Sequence, residues 1–286
     1  MKNSISKLGL SIMVLSMVCA CSSDDDAAIE QAVAAALNAD LITTDAIADS
    51  STGFDFETAV DLQESFDQTF GRGVNPGVIS TNSFRDCVYI TVTGTRGQFP
   101  ITYELDFGTG CTGPRGNTRA GILTFTFSDR LINQGAVLTI ERSNYVLNGR
   151  ALEGTITHTN NSNSNIPDWT RTVTSGSITR LNGAVFTFNS TRSIRMDAGG
   201  DTTRLRDNIL DIYDGRRTVT GPNGNTMTTT VITTLTKPYR CNYIVSGMVE
   251  INRPNRNGTI DYGDGSCDNQ ATYTNPSGLS VDFMLR

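Results

Sequence analysis

The chain has 286 residues, 37% hydrophobic and 18% charged, with a formal net charge of −6. That is enough for one sizeable domain behind its N-terminal segments. An acidic balance with no basic run longer than two residues excludes a nucleic-acid binder, and a single histidine excludes histidine-rich metal chemistry.

The first element is a leader. Lys2 and Lys7 precede an apolar stretch from Leu8 to Val18, interrupted by Gly9, Ser11 and Ser16. A bilayer core of about 30 Å needs roughly 20 apolar residues of helix, so the stretch reads as the core of a signal peptide over residues 1–20. Val18-Cys19-Ala20-Cys21 resembles the bacterial lipobox, which implies acylation of Cys21 and loss of Cys19. Ser22-Ser23-Asp24-Asp25-Asp26 resembles the export signal of surface lipoproteins in Bacteroidota. The resemblance implies an outer-membrane location, anchored by the N-terminal lipid and exposed at the cell surface.

Charge then divides the chain. Residues 21–70 hold twelve acids and no Lys or Arg, whereas residues 71–286 hold 21 basic residues against 17 acids. The acidic arm and the mildly basic body are expected to attract each other. Alanine-rich residues 27–46 read as a helix-prone linker. Thr, Ser, Asp and Gly over 43–53 predict a break, so residues 21–53 read as a lipidated, partly helical tether. Asp55 then caps a short helix over about 57–69, with Leu62, Phe66 and Phe70 on one stripe. Residues 54–83 are thus expected to form a helix and linker lying on a sheet.

From about Phe84 the period is two. Leu123, Phe125 and Phe127, then Phe186 and Phe188, then Val231 and Leu235 alternate with Thr, a residue favoured on pleated surfaces. Asn-Gly at Asn148-Gly149, Asn182-Gly183, Asn223-Gly224 and Asn257-Gly258 predicts tight hairpin turns. The expected fold of residues 84–286 is all-β: a long antiparallel meander of about twelve strands, forming a sandwich-like or half-barrel body. No βαβ alternation argues for a parallel sheet.

Two similar blocks frame this region. Arg85-Asp-Cys87-Val-Tyr89 ends in Asp106-Phe-Gly108-Thr-Gly110-Cys111, and Arg240-Cys241-Asn-Tyr243 ends in Asp261-Tyr-Gly263-Asp-Gly265-Ser-Cys267. The midpoints of the two cysteine pairs fall on turn-rich sequence, which puts each pair at the mouth of its own hairpin. Disulfides Cys87–Cys111 and Cys241–Cys267 follow. The Asp-aromatic-Gly endings read as turns in which the Asp side chain takes a backbone N–H; Asp261, Asp264 and Asp268 are also a calcium candidate set. With the leader, these blocks resemble a group of exported Bacteroidota lipoproteins. That resemblance implies a β-rich exported lipoprotein and implies no activity.

Residues with chemistry are few. His158 lies among Thr155, Thr157 and Thr159 and reads as a solvated strand histidine. Glu104, Asp106, Asp211, Asp214 and Asp261 are candidates for a glycosidase carboxylate pair by residue type alone. Arg192, Arg195, Arg204, Arg206, Arg216 and Arg217, interleaved with Asp197, Asp201, Asp207, Asp211 and Asp214, predict cross-strand ion pairs, or else an anion-binding face. Trp169, Tyr89, Tyr103, Tyr145, Tyr213 and Tyr243 either stack on a ligand or fill the core. Phe125, Phe127, Phe186 and Phe188 read as core, or as the lining of a lipid-carrying groove. Asp201-Thr202-Thr203 resembles a Bacteroidota O-glycosylation acceptor, which implies a glycan on Thr202. No cofactor, metal or catalytic residue is expected. The reading is a surface-anchored lipoprotein with a structural or ligand-binding role toward a glycan or an envelope partner. The alternatives are a glycan-processing enzyme and an envelope carrier of lipid or protein.

Overall fold

The computed structural model describes residues 40–70, 87–95, 98–113, 116–163, 166–198, 209–239, 241–254 and 257–285, with backbone alone for 40, 64–70 and 197–198. The leader, Cys21, the O-glycan candidate Thr202, Phe66, Phe70 and several of the arginine-cluster residues (Asp197, Asp201, Arg204, Arg206 and Asp207) therefore fall outside the side chains described.

Among the described residues one helix, α1 (Asp40–Phe70), precedes fourteen strands. The strands are β1 (Tyr89–Thr93), β2 (Ile101–Asp106), β3 (Cys111–Thr112), β4 (Thr118–Phe127), β5 (Val137–Leu147), β6 (Arg150–Asn160) and β7 (Asp168–Thr179), then β8 (Val185–Ala198), β9 (Ile209–Thr220), β10 (Thr226–Pro238), β11 (Ser246–Asn252), β12 (Gly258–Asp264), β13 (Gln270–Thr274) and β14 (Ser280–Met284). They form one open antiparallel sheet, β1-β2-β4 and then in chain order to β14, with β3 paired to β4. The all-β meander is as the alternation predicts. It is a single curved sheet rather than two packed ones.

The sheet curls around the helix. Residues from the β4–β5 end (Asn117, Leu147, Asn148) and from the β10–β11 loop (Asn242, Tyr243) line one crevice with Phe54 and Glu57 of α1. Curvature comes from bulges, which kink a strand and increase its twist. Register shifts occur at Gly121, Gly154 and Gly247, all with positive φ. A Cβ on Gly121 would run into the Asn144 carbonyl on β5, so only glycine lets the two strands close there.

Turn chemistry is more varied than the Asn-Gly dipeptides suggest. Asn148-Gly149, with φ of 51° and 76°, is the expected two-residue hairpin turn, since Leu147 faces Arg150. Asn182-Gly183 and Asn223-Gly224 sit in longer turns, where the Gly amide donates three residues back and a second bond closes the loop, Arg180 N to Ala184 O and Gly221 N to Asn225 O. Asn275–Leu279 repeats that pattern without an Asn-Gly. Asn257-Gly258 is not a turn of this kind: Gly258 already belongs to β12.

Both disulfides form as the hairpin argument requires, Cys87–Cys111 at the mouth of β1–β2 and Cys241–Cys267 at the mouth of β11–β12. Their sequence separations of 24 and 26 correspond to about 3 kcal/mol each in the loop-entropy model. Replacing Cys241 and Cys267 together by serine is expected to lower the unfolding free energy by about that amount in urea titration. An unchanged midpoint would remove the bridge from the account of stability.

Helix α1 corrects the expected break. It runs without interruption through residues 43–53 and across the expected 53/54 boundary. Ser51 and Thr52 donate to the Ala48 carbonyl (3.2 and 2.8 Å), and Thr58 donates to that of Phe54 (3.0 Å), so these poor helix formers are satisfied within the helix. Asp55 lies in mid-helix and is not a cap.

Candidate functional site

The most built site is inside the curl, where the sheet grips the helix. His158 on β6, Arg171 on β7 and Arg192 on β8 are direct register neighbours on the inner face, and Arg217 on β9 lies opposite Ser190. Like charges set side by side on a sheet repel. The helix supplies the counter-charge. Asp49 Oδ1 accepts from Arg217 (2.5 Å) and Arg171 (3.1 Å), and its Oδ2 lies 3.6 Å from Arg192. One turn earlier, Asp45 Oδ1 accepts from Arg217 (3.2 Å) and Thr229 (3.1 Å), while its carbonyl takes a second Arg217 bond (2.9 Å).

The grip continues along the helix. Asp55 Oδ2 accepts from Arg142 Nε (3.0 Å) and a terminal nitrogen (2.7 Å), and Tyr145 donates to Oδ1 (3.3 Å). Lys237, the sole lysine after residue 7, donates to Glu57 (2.6 Å), and Tyr239 donates to the Glu57 carbonyl (2.6 Å). Arg119 donates to Thr58 (3.0 Å) and lies 4.1 Å over the Phe54 ring. Gln63 accepts from the Leu131 amide (2.9 Å). The helix therefore crosses the sheet obliquely, from β9–β10 to β4–β5. Leu41, Ile42, Ala48, Phe56, Ala59, Val60 and Leu62 fill the spaces between these polar contacts.

Burial sets the ionisation of the cluster. For Asp49 burial opposes charge, but Arg217 and Arg192 overcome it and hold the carboxyl below its ordinary range. For Asp45 burial prevails over Arg217, with Asp49 adding to it, and the carboxyl is raised. Burial lowers Arg171 to about 10 against the pull of Asp49. Buried charges are tolerated here because each meets its opposite.

This arrangement corrects two sequence expectations. Arg192 and Arg217 pair with the helix, not with acids of neighbouring strands, while Arg195–Asp211 (3.7 Å) is a cross-strand pair. Arg216 and Asp214 are exposed on the outer face. His158 is not solvated: it is fully buried and stacks on Phe56 at 4.4 Å. Its neighbours Thr155, Thr157 and Thr159 face out, so alternation turns His158 in.

Burial and the nearby Arg171 charge push the His158 pKa well below its ordinary value. The native ring stays neutral while the unfolded one takes a proton, so stability is lost as pH falls below about 6.5, by up to about 1.4 kcal/mol per pH unit. Urea midpoints of wild type and His158→Gln between pH 7 and 5 test this. An equal slope in both proteins would show that another group titrates.

The remaining candidates are dispersed. Asp106 and Asp261 accept from the Gly108 (2.8 Å) and Gly263 (2.9 Å) amides, and Asp264 and Asp268 do the same toward Ser266 and Gln270. Gly108, Gly263 and Gly265 have positive φ; Gly110 does not. The acids on β2, β9 and β12 sit on strands that are not neighbours. Among the described residues no group of three His, Cys, Asp or Glu converges as a metal site would. Trp169, Tyr103, Tyr145 and the four phenylalanines are core, with Trp169 donating to the Leu131 carbonyl (3.1 Å). Tyr89 and Tyr213 are exposed. The cavity beneath the helix, bordered by Asp49 and Arg171, holds about 20 Å³, the size of one water.

Sequence reasoning anticipated attraction between the acidic arm and the basic body, but not which residues meet or that they meet in a buried site. Two signals pointed to it: the four-residue spacing of Asp45 and Asp49, and the segregation of acids before residue 71 from bases after it. Comparison of the chain with protein-family models, with curated proteins and with solved structures finds no match.

Proposed function

We propose that the chain is a lipid-anchored protein of the bacterial outer membrane, displayed at the surface, whose β body is a structural or ligand-binding module without catalysis. The carrying observation is the occupied interior. The chain's own helix fills the middle of the concavity, and the larger open space of about 420 Å³ lies at its N-terminal end, between Leu41, Phe186 and the turn at residues 221–225, so contact with a glycan or envelope partner is assigned to the outer face and the loops. The leader, the acidic segment after Cys21 and two disulfides support an exported setting. No described helix is long and apolar enough to cross a membrane, which leaves the anchoring to Cys21 in this reading.

Metabolic labelling with an alkyne fatty acid tests the anchor. Wild type is expected to carry label and Cys21→Ala to carry none; protease added to intact cells is expected to degrade the β body. Absence of label, or full protection in intact cells, overturns the anchored, outward-facing reading. Release of reducing ends from a polysaccharide by the purified protein overturns the non-catalytic one.

A further inference from the structure

The outer face carries a row that strand register makes continuous. Thr93 on β1 faces Thr102 on β2, which faces Thr126 on β4, then Thr139 on β5, Thr157 on β6, Thr172 on β7 and Thr191 on β8. Seven threonines thus stand shoulder to shoulder across seven strands. At about 4.8 Å per strand the row is roughly 30 Å long. On β9 it meets Arg216.

Strand propensity accounts for threonine facing outward. It does not account for an unbroken row, because the neighbouring rows are mixed. One side reads Thr91–Glu104–Thr124–Glu141–Thr155–Thr174, in which two glutamates interrupt the threonines, and the other Val137–Thr159–Thr170–Ser193–Asp214. Thr102 and Thr126 bond each other (3.1 Å), while the hydroxyls of Thr139, Thr157, Thr172 and Thr191 have no side-chain partner among the described residues. Each position offers a rotatable donor–acceptor hydroxyl and a methyl group. Sugar rings present the same two surfaces, equatorial hydroxyls and C–H faces. An extended β-linked polysaccharide advances one ring in nearly the distance that separates two strands.

We propose that this row is a docking track for a single extended chain of neutral polysaccharide, laid across the strands with successive sugars in register with successive threonines. The inference rests on the binding-module reading above and names its ligand class and its site. Exposed Glu104 and Glu141 flank the track along its length and repel anionic polymers, while exposed Arg216 stands only at its β9 end beside Asp214, which is why the ligand is neutral. The sheet is convex on this side, so a flexible soluble chain follows it and a flat crystalline face does not.

Affinity electrophoresis of the full mature chain in detergent tests the track, with soluble galactomannan, hydroxyethyl cellulose and arabinoxylan as probes, alginate as the anionic control and crystalline cellulose as the flat one. Wild type is expected to be retarded by at least one neutral soluble polymer. The triple variant Thr139→Val, Thr157→Val, Thr172→Val keeps shape and β-branching and is expected to lose tenfold or more in affinity. The off-track variant Thr218→Val with Thr228→Val, which removes a mutually bonded outward pair (3.0 Å), is expected to bind as wild type does. Retardation equal in the triple variant and wild type overturns the track while leaving a binding module intact. Absence of retardation with every neutral polymer, or retardation by alginate alone, also overturns it, and the labelling experiment then decides the broader reading by itself.

Discussion

Replacing Arg217 by methionine is expected to lower the unfolding free energy by about 3–5 kcal/mol, the cost of breaking a buried ion pair from one side. Arg217 is fully buried and binds both Asp45 and Asp49. Without it Asp49 keeps Arg171 and Arg192, whereas Asp45 keeps the Thr229 hydroxyl and the more distant charge of Arg192. Asp45 then escapes its unpaired charge by taking a proton, which limits the loss. The double variant Arg217→Met with Asp45→Leu removes both charges and is expected to recover part of the deficit, since apolar replacements of buried pairs are often neutral. Urea titration with the disulfides intact reads both, and a double-mutant cycle isolates the coupling. A single-variant loss under about 1 kcal/mol would show that the cluster does not hold the helix.

The acid limb of stability carries the same signature with opposite signs at the two aspartates. Asp49, lowered in the fold, contributes stability that is full above its unfolded value and lost as pH falls through its folded one. Asp45, raised in the fold, imposes a cost above its folded value that is relieved as pH falls. Arg217 does most to lower Asp49, with Arg192 and Arg171 adding to it, so the methionine variant is expected to lose stability less steeply below about pH 4 than wild type does.

Local signals carried the sheet and long-range ones carried the helix, which is why the two were legible to different degrees. Alternation from Tyr103 to Phe127 and the paired cysteine blocks are properties of neighbouring residues, and they place the strands and both disulfides. The tight turn at Asn148 is local as well. The turn at Asn275–Leu279 escaped because it uses Pro-Ser-Gly instead of Asn-Gly. Helix α1 is the opposite case. Its Thr43-Thr44, Ser50-Ser51-Thr52-Gly53 run is poor helix by intrinsic preference. It is helical because Asp45, Asp49, Asp55 and Glu57 find cations up to 180 residues away. No window along the sequence contains both partners. The His158 assignment failed for another reason: the Thr neighbours were read as its environment, although alternation puts neighbours on the other face.

The largest expected effect is loss of the fold when the helix is removed. A chain starting at residue 83 retains every strand and both disulfides, yet it is expected to lack a cooperative unfolding transition. Two terms act together. Burial of Leu41, Ile42, Phe56, Val60 and Leu62 is worth about 1.5–3 kcal/mol each, which together is comparable to the whole stability of about 5–15 kcal/mol of an ordinary domain. Removal of the helix also leaves Arg142, Arg171, Arg192, Arg217 and Lys237 facing one another without their carboxylates. The helix alone gains nothing from separation, since Asp45, Asp49, Asp55 and Glu57 lie among its buried apolar residues and the helix as a whole is only weakly amphipathic. A peptide of residues 38–72 is accordingly expected to be mostly unfolded alone and to restore a cooperative transition when added to the truncated chain. The same peptide with Asp45→Asn and Asp49→Asn is expected to restore far less. A truncated chain that unfolds cooperatively at the wild-type urea midpoint would show that the sheet holds its curl without the helix, and that the cationic inner face is stable unpaired.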